Sequence, residues 1–257
     1  MSTSRSAGWW APLVLVAALV AAWEAARRLL RLPPFVLPPP AAVAAAVAAD
    51  PGGLARAALA TLGQALAALG LAALFAWPLA LLAGASRGAE RALRPVLVTL
   101  QVTPVVAIAP LVVIWAGLEH PERAVTALAA VVAFFPLFSG AETGLRSADP
   151  DLEQLFDLHG ATPAQRLFRL RLPAATPYVL EGLKVGSGLA VIGAVVAEFV
   201  AGSGRSQGLA WRILEAGERL RTADMFAALV VLGLMAATLN AALQRAEAFL
   251  LRRWRGR

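Results

Sequence analysis

The chain has 257 residues, 59% of them hydrophobic, with a mean hydropathy of +0.70, which is too apolar for a soluble domain of this length. It contains no cysteine, which excludes disulfides, thiol chemistry and zinc ribbons, and its two histidines, His120 and His159, fall in different loops. The formal charge of +7 comes from basic residues that flank hydrophobic runs rather than forming a basic domain, so it points to membrane flanking and to no nucleic-acid partner.

The first apolar segment, 9–27, reads as a membrane helix. Small residues between Ala17 and Ala26, after Arg5, resemble a signal peptide, but Arg27, Arg28 and Arg31 would make poor residues just after a cleavage site, so an uncleaved span is expected. Residues 28–55 read as a loop. Pro33-Pro34 and Pro38-Pro39-Pro40 break any helix, Ala41–Ala49 forms a short one, and Asp50-Pro51-Gly52-Gly53 ends it. Further spans are expected at 60–84, 95–117, 123–145, 178–202 and 224–244, each near the roughly 20 residues that cross a bilayer. The result is an all-α membrane protein with six transmembrane helices in one domain, 1–257, and a cytoplasmic loop at 146–177.

With the N-terminus inside, thirteen arginines fall on the cytoplasmic side and nine on the other. This favours both ends inside, although Arg27, Arg28 and Arg31 argue against it locally.

The polar segment 151–173 breaks this hydrophobic pattern. Leu152, Leu155 and Phe156 recur at i, i+3 and i+4, which gives one apolar helical face. Gly160 suits a helix C-terminus. Thr162-Pro163-Ala164-Gln165 has the form of a capping box with proline at the first helical position. Phe168 and Leu172 would then share an apolar edge and Arg166 and Arg169 a basic one, with Pro173 stopping the helix. Such a hairpin suits either lodging in a groove of a soluble subunit or lying on lipid headgroups.

Two spans carry unusual residues. Pro104 and Pro110 each remove a backbone hydrogen bond and can kink a helix, to shape a gate or simply to pack. Glu181 and Lys184, at i and i+3, predict an ion pair. Glu198 lies near the end of the fifth span, where a carboxylate is expensive unless it serves a path or is hydrated at the boundary. The glycine-rich run 202–208 lacks the Gly-Lys-Ser/Thr of a phosphate loop, and no such loop occurs elsewhere, so neither ATP binding nor a cofactor is expected. No catalytic or metal-ligating constellation stands out.

The hairpin resembles the cytoplasmic EAA coupling loop of bacterial ABC importer permeases. Gly160 and Leu172-Pro173 fit that pattern, while Glu153-Gln154-Leu155 stands where Glu-Ala-Ala would stand. Further elements resemble the nitrate, taurine and alkanesulfonate group of that family: Thr103-Pro104-Val-Val-Ala-Ile-Ala-Pro110-Leu111 to Gly117, Phe134-Phe135-Pro136, Leu180-Glu-Gly182 to Gly186, and Val196-Ala197-Glu198-Phe199. The resemblance implies a type I importer permease in the bacterial inner membrane that does no covalent chemistry itself. Two such subunits, as a homodimer, would enclose a path for a small solute delivered by a periplasmic binding protein. Two copies of a cytoplasmic ATP-binding subunit would drive it. Glu153, Leu155, Phe156, Gly160, Arg166, Phe168, Leu172 and Pro173 would couple to the ATPase, and Pro104, Pro110 and Glu198 are candidates for the path or gate. Small oxyanions and organosulfonates come first as solutes and heteroaromatic vitamin precursors second. A secondary transporter or channel is the alternative; it would require intramembrane charges lining a path or an internal repeat.

Overall fold

The computed structural model describes residues 10–117, 120–201 and 208–254, and within them every regular element is a helix. The chain runs α1 (Ala11–Leu29), α2 (Pro40–Ala49), α3 (Pro51–Ala85), α4 (Arg87–Val102), α5 (Val105–Ala116), α6 (Pro121–Leu145), α7 (Pro150–Leu158) and α8 (Pro163–Arg166). A π-helical turn, Leu167–Arg171, leads into α9 (Leu172–Ala201), followed by α10 (Leu209–Glu218) and α11 (Thr222–Trp254). The all-α membrane architecture expected from composition is therefore present. Trp9, Gly202 to Gln207, Arg5 and the terminal Arg255 and Arg257 lie outside the described residues.

Among the described residues, four helices are long and apolar enough to cross a bilayer: Pro51–Ala85, Pro121–Leu145, Pro163–Val200 and Thr222–Arg252. The segment expected as one span over 95–117 is instead two helices, α4 and α5, bent by 97°. Its break falls where Pro104 forces the issue. Thr103, before the proline, is extended at φ −69°, ψ 122°, and Pro104 itself is extended at ψ 110°. Pro110 lies inside α5. Counted as one span, the bent pair raises the total to five. The sixth expected span corresponds to α1, where Glu24, Arg27 and Arg28 fall within any 18-residue window of the helix. Of these, Glu24 pairs with Arg27 at 2.7 Å and with Arg28 at 2.5 Å.

Other boundaries move for identifiable reasons. The Asp50-Pro51-Gly52-Gly53 stretch ends α2 as expected, yet also starts α3 nine residues before 60. Asp50 is the N-cap and accepts from the Gly53 N–H at 2.8 Å, and Pro51 takes the first helical position. Pro173 does not stop its helix. In the π turn the Leu172 N–H reaches the Leu167 carbonyl, so Pro173 falls in the first turn of α9, where its missing N–H is not needed.

Between α6 and α9 lies the tightest seam. A Cβ on Gly182 would stand 2.7 Å from the Pro136 carbonyl oxygen, and one on Gly140 would stand 2.7 Å from that of Tyr178. Gly144 meets Ala175 at 2.8 Å, and Gly193 meets Ala129 at 2.8 Å. These close approaches run from one end of the pair to the other. With little side chain between them, the two backbones interlock over their full length, as small-residue interfaces do in membranes. Ala133 and Leu137 of α6 lie against Gly186 in the same seam, and both are buried.

Candidate functional site

At one end of the α6–α9 pair sits the hairpin made by α7, α8 and the π turn. The local sequence dictates its shape. The Asp149 carboxylate accepts from the Asp151 N–H at 2.8 Å and caps α7, with Pro150 at the first position. Gly160 adopts φ +62°, the left-handed conformation that glycine enters without strain. The capping box foreseen at Thr162 and Gln165 is formed. Gln165 N–H donates to the Thr162 hydroxyl at 3.2 Å, and Thr162 N–H donates to the Gln165 side-chain oxygen at 2.8 Å.

Glu153 and Arg166 face inward, not outward. Glu153 pairs with Arg171 at 2.6 Å and with Arg166 at 3.4 Å, and Arg166 also bonds Asp157. Nearby, Arg146 ties the end of α6 to Glu90 of α4 at 2.8 Å and to Glu142 at 3.2 Å, and the Glu90 carboxylate beside it holds the Arg146 guanidinium above its ordinary pKa. These ion pairs line a cavity of about 660 Å³ between the hairpin and the ends of α3, α4 and α6. The basic edge expected from Arg166 and Arg169 is therefore split, since Arg166 is consumed internally while Arg169 is exposed.

The apolar edge changes too. The π turn shifts the register, so Leu170 is buried and Leu172 and Pro173 are half-buried, while Phe168 is 67% exposed. On α7, Leu152, Leu155 and Leu158 are exposed and Phe156 is half-buried. The hairpin thus offers water a set of large apolar side chains, while its charges pair with one another and hold its two arms together. Large exposed apolar side chains grouped in this way mark an interaction surface, for protein or for membrane.

At the opposite end of α9, Glu198 is neither hydrated nor unpartnered. It is fully buried, as is Thr61 of α3. The Thr61 hydroxyl donates to Glu198 Oε1 at 2.9 Å and accepts from Leu209 N–H at 2.9 Å. Ala210 and Trp211 N–H donate to Glu198 Oε2 at 3.0 and 3.4 Å. Three N–H groups of the first turn of α10 are thereby satisfied by two side chains from two other helices. Gly208 makes room for this, since a Cβ there would lie 2.1 Å from both carboxylate oxygens. A second tie joins α10 to the start of α3: Arg212 bonds Asp50 at 2.8 Å, and Gly53 leaves space for both groups.

Sequence reasoning missed α10, Thr61 and Gly208. The signal for α10 was present in Leu209, Ala210, Ile213 and Ala216, a helical apolar face whose members are all buried. Elsewhere, Lys184 pairs with Glu181 at 2.5 Å as expected, and also with Glu247 of α11 at 2.9 Å.

A family model described as binding-protein-dependent transport system inner membrane component matches residues 72–256, from mid-α3 through the hairpin to the end of the chain. The chain belongs to this family. Among its relatives, a probable ABC transporter permease of Haemophilus influenzae is 37% identical over 153 residues, which is 60% of each chain. The formylaminopyrimidine transport permease of Halalkalibacterium halodurans is 35% identical over 162 residues, 63% of each chain. A putative aliphatic sulfonates transport permease of Bacillus subtilis is 30% identical over 175 residues, 68% of this chain and 61% of the relative. The matches span about three fifths of these relatives' length. Family and relatives alike are transport permeases rather than enzymes, and the family is one of inner membrane components.

Proposed function

We propose that the chain is the membrane-spanning permease subunit of an ATP-driven importer. Six spans would put both ends in the cytoplasm, with α1 as the first and the bent α4–α5 pair as the third. The observation that carries the proposal is the hairpin, whose two arms are tied together through Glu153, Arg166 and Arg171 and which leaves Leu152, Leu155, Leu158 and Phe168 uncovered. A soluble ATP-binding subunit is the partner such a surface fits, through a groove that takes the apolar side chains of α7 and Phe168. One hairpin engages one ATPase. A pair of ATPases therefore calls for two copies of the chain, and the translocation path would run between them beside Pro104 and Pro110. A periplasmic binding protein would deliver the solute on the α10 side.

The solute class is supported by relatedness. Relatives named for formylaminopyrimidine and riboflavin are 35% and 37% identical, against 30%, 31% and 25% for those named for aliphatic sulfonates, taurine and nitrate. This reverses the order suggested by motif resemblance and favours a small heteroaromatic solute. An organosulfonate is the second reading, supported by the taurine relative's longer match, 72% of the chain.

Proteoliposomes holding the chain with its ATP-binding subunit and binding protein should accumulate a labelled formylaminopyrimidine only when ATP is supplied. Accumulation of taurine in its place would select the second reading. Equal uptake with and without ATP would refute the importer.

A further inference from the structure

Helix α9 has two ends, and each is tied to a different device. Its first residues continue without a break from the π turn and α8 of the hairpin. Near its other end stands Glu198, about 50 Å from Gln165 at 1.5 Å per residue. Between them the glycine seam with α6 leaves no slack, since backbone meets backbone at Gly144, Gly140, Gly182 and Gly193. Sliding or bending α9 alone would bring those backbones into collision, so α6 and α9 move as one body. At the far end the α10 N–H groups donate to a carboxylate on α9 and a hydroxyl on α3, both of them fully buried.

We propose that Glu198 is a positioning residue that makes α10 follow α9, so that movement of the hairpin is delivered to the opposite side of the membrane. Glu198 contacts no solute in this role. It acts through the backbone of Leu209, Ala210 and Trp211, with Thr61 completing the clasp and Gly208 providing its space. A buried carboxylate suits the task because its bonds to N–H groups are charge-assisted and directional, and no water competes for them. This inference rests on the hairpin being the site that the ATP-binding subunit moves.

Hydrogen exchange on the full chain, assembled with its ATP-binding subunit, tests it. Exchange is compared between nucleotide-free complex and complex trapped with ADP and vanadate. Trapping should alter exchange in the hairpin, 150–171, and in the first turn of α10, 209–213. In Glu198→Ala the hairpin response should persist and the α10 response should vanish. Thr61→Val, which keeps the Ala210 and Trp211 bonds to Glu198, should only weaken it, and Thr61→Ser, which keeps the hydroxyl, should restore it. Glu198→Gln should weaken it, since one of its two terminal atoms can no longer accept. An unresponsive α10 in wild type would overturn the proposal even if every variant failed to assemble. So would an α10 response that survives undiminished in Glu198→Ala. A silent hairpin in wild type would instead overturn the coupling role on which it stands.

Discussion

Gly208 has no side chain because the Glu198 carboxylate occupies the place where one would go. Gly208→Ala would force a Cβ to within 2.1 Å of both oxygens, and the buried carboxylate could yield only by disturbing its bonds to Thr61 and the α10 N–H groups. Overpacking of this kind destabilises by roughly 1–3 kcal/mol. The purified variant should melt below wild type, and an unchanged melting temperature would contradict the clasp. The Asp50–Arg212 pair is exposed and behaves differently. The Arg212 guanidinium, with help from the Gly53 N–H, holds the Asp50 carboxyl below its ordinary range. A lowered folded pKa gives stability that is present above the unfolded value and lost as pH falls through the folded one. Asp50→Asn should therefore lower the melting temperature at neutral pH, and the gap to wild type should close in acid. A gap that persists below the aspartate range would show that the charge is not responsible.

Among the helices, the glycines of α9 and α3 make opposite predictions. Gly182→Ala meets the Pro136 carbonyl at 2.7 Å, while Gly70→Ala meets nothing within 4 Å. The first should destabilise by roughly 1–3 kcal/mol through overpacking. The second should be neutral or stabilising by up to about 1 kcal/mol, because alanine is the better helix former. Thermal melts of the two variants side by side check this, and equal effects would contradict the seam. Local signals at this scale were legible in the sequence where the rule was short-range. The Thr162–Gln165 capping box, Gly160 and the Glu181–Lys184 pair each depend on residues three or four apart, and each is formed. Proline was less informative. Pro104 breaks its span with a 97° bend, Pro51 starts a helix, and Pro173 is passed through because a π turn precedes it. All three share the same chemistry, and only the surrounding hydrogen bonds separate them. The Glu198 clasp was illegible for another reason. Its partners Thr61, Ala210 and Trp211 lie 137, 12 and 13 positions away, and no periodicity links them.

Across the whole molecule, α9 joins two surfaces of opposite character. One end presents exposed apolar side chains on a salt-bridged base, and the other is a sealed polar knot. Reporter fusions after residues 160 and 212 should read on opposite sides of the membrane, the first cytoplasmic, because one crossing by α9 separates them. A periplasmic signal at 160 would remove the hairpin from reach of any ATPase. The absence of cysteine from the chain makes the decisive measurement direct. Phe168→Cys introduces a single thiol at the most exposed aromatic of the hairpin. It can carry a benzophenone photocrosslinker in membranes that also contain the ATP-binding subunit. Illumination should give an adduct between the two subunits, and the same label on Cys placed at the outward-facing Leu74 of α3 should give none. Crosslinking of the Phe168→Cys label to lipid alone, in membranes where the assembled complex is present, would contradict the coupling role of the hairpin.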